Sequence, residues 1–282
     1  NGNLIALFYI EKDANGRIVG YKIQKKITRG EGVKEVTTWT TKSMSWEYDV
    51  NGNITKMVKE LIECTYSVSD LNGDGIVQDN EKNWSYSQYK KTTDLTWSSE
   101  KIDGQYRITN YNVKEEGKTY KREWVKEKNK DTGVEEWVFK DEASIFQKER
   151  NISFAWNAQK GEMAVTGYTS KSQSKGTIKW DAYEVNSDGT IGAFKEHRKD
   201  QKPWSTTNIT VTYKADGTPD TQTFDMEGFQ YDEQHPQGFY IIRHSESVWD
   251  AANNKWTTGD LNTSGNNYYI VSTDKVNWYF YD

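Results

Sequence analysis

The chain has 282 residues, with 37 Lys and Arg against 42 Asp and Glu, for a formal net charge of −5. Hydrophobic residues make up 34% and aromatics 14%, including 12 Trp and 18 Tyr, so aromatic rings must supply much of the buried area that aliphatic side chains do not. No apolar run approaches the roughly 18 to 20 residues of a membrane-spanning helix. Dispersed Lys and Arg make no basic footprint for a nucleic acid, and the lone Cys64 excludes an intrachain disulfide or a multi-cysteine metal site.

The chain opens Asn1-Gly2-Asn3 without an initiator Met, as a mature secreted chain does, although a trimmed one would open the same way. Leu4 to Ile10 is apolar at consecutive positions, as is Asn277 to Tyr281 near the other end. Strands apolar on both faces need cover on both, from a second layer or a neighbouring molecule. Leu4, Ile5, Leu7, Phe8, Trp278 and Phe280 are therefore the expected assembly contacts, by edge pairing with other surface proteins or copies of the same chain.

Between these ends, turn signals recur: Asn15-Gly16, Asn51-Gly52, Asn72-Gly73-Asp74-Gly75, Asp103-Gly104, Thr132-Gly133, Lys160-Gly161, Asp188-Gly189 and Asp216-Gly217. Asn-Gly and Asp-Gly provide the positive φ of tight hairpin turns. The intervening segments alternate with period two, as in Ile62-Glu63-Cys64-Thr65-Tyr66-Ser67-Val68, where Ile62, Cys64, Tyr66 and Val68 share a face. Cys64 on that face reads as a buried, inert thiol. Gly133, Gly161, Gly189 and Gly217 recur at an interval of 28, with weaker breaks near Gly117, Gly176, Pro203 and Gly228. The expectation is an all-β, long antiparallel up-and-down meander of β-hairpins, on the order of sixteen to eighteen strands of roughly ten residues, forming an elongated or coiled sheet. It reads as one domain over 1–282, with a split into two subdomains near 145–150 as the alternative.

The most specific local pattern is Asp70-Leu71-Asn72-Gly73-Asp74-Gly75-Ile76-Val77-Gln78-Asp79-Asn80-Glu81. Oxygen-bearing residues stand at positions one, three and five, Gly75 at six and Glu81 at twelve. The segment resembles the calcium loop of EF-hand and dockerin proteins. That resemblance implies Ca²⁺ bound by Asp70, Asn72, Asp74, the Ile76 carbonyl, Gln78 and Glu81. The flanking segments alternate like strands, so the expected ion is a structural one at a hairpin tip. A second segment, Trp46-Glu47-Tyr48-Asp49-Val50-Asn51-Gly52-Asn53-Ile54, resembles the Tyr-Asp repeat of RHS and teneurin proteins, which build coiled β-sheets. That resemblance implies architecture and no activity.

Trp124, Trp137 and Trp180 on alternating strands read as core and cross-strand pairs. Trp249 and Trp256, around Asn253-Asn254, read as opposite arms of a hairpin and the first place for a carbohydrate platform. Neither His197, His235 and His244 nor the adjacent pairs Glu115-Glu116 and Glu135-Glu136 match a catalytic pattern, since neighbours on a strand point to opposite faces. The expected function is that of a secreted or cell-surface, calcium-binding structural or adhesive protein, a candidate filament or surface-layer subunit. A carbohydrate-binding module using exposed Trp and Tyr is the alternative, and a polysaccharide-active enzyme the second. Calorimetric titration should give one Ca²⁺ per chain with a melting temperature several degrees lower in EGTA, both lost in Asp74→Ala; an unchanged melt with no heat of binding would reduce the segment to a polar turn.

Overall fold

A computed structural model describes residues 3–30, 35–68, 82–232, 234–259 and 267–281. The calcium-loop residues Asp70, Asn72, Asp74, Ile76, Gln78 and Glu81 lie outside them. The described elements are all strands: β1 (Asn3–Lys12), β2 (Ile18–Arg29), β3 (Val36–Tyr48), β4 (Ile54–Val68), β5 (Lys82–Ile102), β6 (Gln105–Lys128), β7 (Glu135–Asn157) and β8 (Glu162–Val185). They continue as β9 (Ile191–Gln201), β10 (Trp204–Tyr213), β11 (Pro219–Gln230), β12 (Phe239–Asp250), β13 (Lys255–Thr258), β14 (Tyr268–Ser272) and β15 (Tyr279–Phe280). Sequential hairpin neighbours pair antiparallel into one large sheet, which does not close into a barrel. Among the described residues β1, β9, β13 and β15 have one strand neighbour each.

Contacts divide the chain into two compact units. One comprises Asn1–Thr92, Gly117–Ile145 and Gly176–Lys202; the other comprises Thr93–Glu116, Phe146–Lys175 and Pro203–Asp282. In the first, the buried hydrophobic side chains among the described residues are Trp137, Val138 and Ala182. In the second they are Val113, Val211, Phe239 and Ile241. So few enclosed side chains leave cross-strand pairs and the backbone ladder to hold most strands.

Four of the turns share one design. At Asp13-Ala14-Asn15-Gly16-Arg17, the Asp13 N–H donates to the Arg17 carbonyl at 2.8 Å and the Gly16 N–H donates to the Asp13 carbonyl at 3.0 Å. The same pair of bonds recurs at Asp49 (2.9 and 3.1 Å), Asn186 (2.9 and 2.9 Å) and Lys214 (2.8 and 2.9 Å). The fourth residue is always glycine, with φ of 76°, 84°, 83° and 82° at Gly16, Gly52, Gly189 and Gly217. The strand register slips just outside each turn. That is the three-residue loop in which a left-handed glycine closes a bulge. Asp49 reinforces its turn: Oδ1 accepts the N–H groups of Asn51 (2.9 Å) and Asn53 (2.8 Å), and Oδ2 accepts the Asn53 amide (3.0 Å).

The 28-residue interval has a different origin from the two ten-residue strands expected. β7 and β8 contain 23 and 24 residues and fill successive intervals whole, so one interval is one long strand plus its turn. Gly117 and Gly176 lie inside β6 and β8 as extended residues. Pro203 does mark an interruption. Ile178 lies opposite Gln201 and Lys175 opposite Trp204, the same register, so β9 and β10 are one strand broken where Pro203 lacks an N–H.

Two outcomes follow for the turns. A Cβ at Gly52 meets nothing within 4 Å, so Gly52→Ala should cost about 1–2 kcal/mol in urea unfolding through the left-handed backbone alone; no change would mean the turn relaxes. The Asn53 side-chain bond, followed by the backbone bonds, holds the Asp49 carboxyl below its ordinary value. A depressed folded pKa gives stability that is present above the unfolded pKa and lost as pH falls through the folded one. Asp49→Ala should therefore lose stability near neutral pH and show a shallower decline on acidification, read from unfolding curves between pH 7 and pH 3.

Candidate functional site

The most elaborate side-chain arrangement in the first unit centres on Glu136, which is fully buried on β7. Asn129, in the turn before β7, donates its amide to both carboxylate oxygens (3.1 and 3.2 Å), while its own Oδ1 accepts the N–H of Asp131 at 2.9 Å and shapes that turn. From β9, Lys195 Nζ donates to Glu136 Oε1 at 2.7 Å and Arg198 pairs with Oε2. Arg198 also donates to Glu127 at 3.2 Å, and Glu127 accepts from Lys140 at 2.7 Å. Lys140 lies 3.5 Å from Glu123.

The register explains how two cations from one strand reach one carboxylate. Opposite β8, Lys199 faces Trp180, His197 faces Asp181, Glu196 faces Ala182 and Phe194 faces Tyr183. Arg198 and Lys195 are the residues skipped, the extra members of two bulges, which re-aims their side chains. Ala182, fully buried on the intervening strand β8, lies between the two bulges and is short enough to let both side chains pass. Lys140 and Lys199 rest on the Trp180 ring, 4.6 and 4.7 Å from its centroid, and the Trp180 N–H donates to Glu142 at 2.6 Å. On the opposite face, Trp137 stacks on Trp124 (5.3 Å, 11°) and Tyr183 meets Trp124 edge-on at 5.4 Å. Glu135 shares that outward alternation and pairs with Lys126 at 2.8 Å; that bond holds its carboxyl below the ordinary value. Glu123 also accepts from Lys121 at 3.1 Å. Glu136 is thus met by Lys195 and Arg198, and Glu127 by Arg198 and Lys140, which ties β9 to the sheet.

The terminal strand of the same unit is the opposite case. On β1, Leu4 is 62% exposed, Ile5 58%, Leu7 48%, Phe8 62%, Tyr9 47% and Ile10 51%. Its ladder partner is β2, from Asn3 opposite Thr28 to Lys12 opposite Ile18, and its other edge has no strand neighbour among those described. Phe8 and Ile10 also line an open hollow of about 590 Å³ with Tyr21, Trp46 and Tyr48. Phe8 and Tyr21 rings lie 6.3 Å apart at 25°. The Arg17 guanidinium stands 4.8 Å over the Tyr48 ring and is tied to Asp13 at 2.8 Å.

In the second unit, Trp249 and Trp256 stand opposite each other on the β12–β13 hairpin. Their centroids are 5.2 Å apart with planes at 70°, an edge contact and not a flat platform. Trp278 is half-buried before β15, and Phe280, 46% exposed, pairs opposite Ile270. The following Tyr281 packs on Tyr269 (4.6 Å) and Phe239 (6.2 Å), so this end of the chain is anchored. A polar hollow elsewhere in this unit holds Asp94, Lys114, Glu115, Glu116, Glu149 and Lys171. Two of its carboxylates are engaged: Glu115 accepts from Arg150 at 3.0 Å and Glu149 from Asn112 at 3.1 Å.

All three histidines place Nδ1 against an aspartate, His197 with Asp181, His235 with Asp232 (2.9 Å) and His244 with Asp225 (2.6 Å). Cys64 is half-buried. Among the described residues no group of three His, Cys, Asp or Glu side chains is placed to hold a metal ion.

Glu136→Gln should destabilise the protein by about 3 kcal/mol, because two part-buried cations lose their counter-charge. Lys195→Ala should cost less, since that side chain is one-third exposed. Equal, sub-kilocalorie effects in chemical denaturation would show that the network contributes nothing. Comparison of the chain with family models, curated proteins and solved structures finds no match in any of the three.

Proposed function

We propose that this chain is a secreted or cell-surface structural module that meets other molecules through its terminal strand β1, with Ca²⁺ held at Asp70 to Glu81 as a staple of one hairpin. The observation that carries the reading is the state of β1. Residues 4–10 of this edge strand expose apolar side chains on both faces, and Lys and a bulge, devices by which proteins commonly blunt such edges, come only at its end, at Glu11 and Lys12. An edge of this kind is the standard receptor for an added strand, whose main-chain bonds supply affinity and whose alternate side chains supply selectivity. Free calcium at about millimolar level outside cells would keep even a weak loop site filled.

A second reading, carbohydrate binding, is favoured by the hollow lined by Phe8, Tyr21, Trp46 and Tyr48, since aromatic faces stack on sugar rings. It predicts Trp fluorescence quenching by a polymeric glycan, lost in Trp46→Ala.

The primary reading is tested by capture of a fluorescent strand peptide with the sequence of residues 3–12. The expected result is saturable binding that Ile5→Lys/Phe8→Lys abolishes, with the melting temperature within about 2 °C of the parent because both side chains are exposed. Absence of binding at any concentration tested, or binding unaffected by the two lysines, would contradict it.

A further inference from the structure

We propose that Lys195 and Asn129 join in a self-catalysed amide bond, with Glu136 carrying the protons, so that a covalent cross-link ties β9 to the turn before β7. The inference is independent of the reading of β1, since it concerns the interior of the first unit and no residue near either end of the chain.

The cluster around Glu136 holds the parts that such a reaction needs. Lys195 Nζ, the nucleophile, donates to Glu136 Oε1 at 2.7 Å. The Asn129 amide donates to the same oxygen at 3.1 Å and to Oε2 at 3.2 Å. One carboxylate oxygen therefore touches both the attacking and the leaving nitrogen. Arg198 pairs with Oε2 and holds the carboxylate in this orientation. The Asn129 carbonyl points to a different set of groups: Oδ1 accepts the N–H of Asp131 at 2.9 Å and that of Thr132 at 3.3 Å. Two backbone donors on a carbonyl oxygen make an oxyanion hole, placed where charge develops as an amine adds to the carbon.

Position and burial favour the same step. Lys195 reaches the carboxylate because it is the extra residue of a bulge in β9. Glu136 is fully buried and Asn129 is 7% exposed, so water, the competing nucleophile, is kept from the amide carbon. The surface carries a natural contrast. Lys114 and Asn112 both approach Glu149, at 3.6 and 3.1 Å, but Lys114 and Glu149 are exposed. Among the described residues no backbone N–H donates to the Asn112 carbonyl, and these three side chains should stay unlinked.

The step balances without an added reagent. Glu136 takes a proton from the Lys195 ammonium, and the freed amine attacks Asn129 Cγ. A bond forms between Nζ and Cγ while the carbonyl electron pair moves onto Oδ1. Glu136 returns its proton to Nδ2, the Cγ–Nδ2 bond breaks as the carbonyl re-forms, and ammonia is released. The surplus proton on Nζ then passes through Glu136 to the ammonia, which departs as ammonium. Nothing is oxidised or reduced. In a chain whose lone Cys64 can form no intrachain disulfide, this bond would restrict the unfolded state as a disulfide does elsewhere.

The experiment is intact-mass spectrometry and denaturing electrophoresis of the full chain, held folded at neutral pH for several days. The parent should be lighter than its sequence by one ammonia and should migrate ahead of Lys195→Arg, which keeps the cation, the full sequence mass and a cooperative melt. Tryptic digestion should yield a branched peptide joining Lys195 to Asn129 and none joining Lys114 to Asn112. Glu136→Gln should slow the bond by about a hundredfold or more, the usual contribution of a positioned acid–base group; Lys195→Arg decides the matter if that variant does not fold. Full sequence mass in the folded parent, an ammonia loss that persists in Lys195→Arg, as from cyclisation at an Asn-Gly turn, or a branch at Lys114 as abundant as at Lys195 would each overturn the proposal.

Discussion

Backbone pairing between neighbouring strands, held in register by glycine-closed turns, is the interaction on which the rest of this protein depends. With seven hydrophobic side chains buried among the described residues, there is little enclosed core to correct a slipped strand. A one-residue slip would reverse every side chain, yet on faces that are polar and half-exposed it would cost little apolar burial. The turns answer that problem locally. Asp13, Asp49, Asn186 and Lys214 begin the same hydrogen-bonded loop, and the glycine at its fourth position fixes where the return strand starts.

Where the turns cannot set geometry, buried charge does. β9 departs from regular pairing at two bulges, and the side chains so released converge on Glu136 with a tilt that regular alternation would not allow. Burying a carboxylate is costly, and a buried ion pair is weak evidence for net stability. Here the cost is offset by Asn129, Lys195 and Arg198 together, and the return is specificity: a slip of β9 by one residue would strand Glu136 without its cations. The stacked Trp124 and Trp137 seal the opposite face of the same stretch, so Glu136 and Trp137, which point to opposite faces, are both buried.

Much of the fold was legible in the sequence, because Asn-Gly and Asp-Gly between alternating segments carry their own backbone chemistry. The two-faced apolar character of Leu4 to Ile10 was equally plain, and so was the hairpin that sets Trp249 opposite Trp256. Strand length was not. Gly117 and Gly176 look like turn glycines in sequence but sit extended within β6 and β8, since glycine permits either conformation and only the neighbouring strand decides. The Glu136 arrangement was illegible for a related reason. Lys195 and Arg198 differ in no local respect from other charged residues of β9, and a bulge is a property of two strands together. The aromatic hollow draws Phe8, Tyr21, Trp46 and Tyr48 from three strands, again a grouping that only pairing creates.

The edge of β1 is where we propose that this chain meets a partner strand, and amide exchange across residues 4–10 tests that proposal most directly. Amides of β1 that point towards β2 should be protected at every protein concentration. Those that point away should exchange freely in the chain alone and become protected when the strand peptide of residues 3–12 is bound. Exchange of the outward amides that stays fast when the strand peptide of residues 3–12 is present at saturating concentration would contradict the account of β1 as a docking edge, and protection already complete in the chain alone would show that the edge is closed from within.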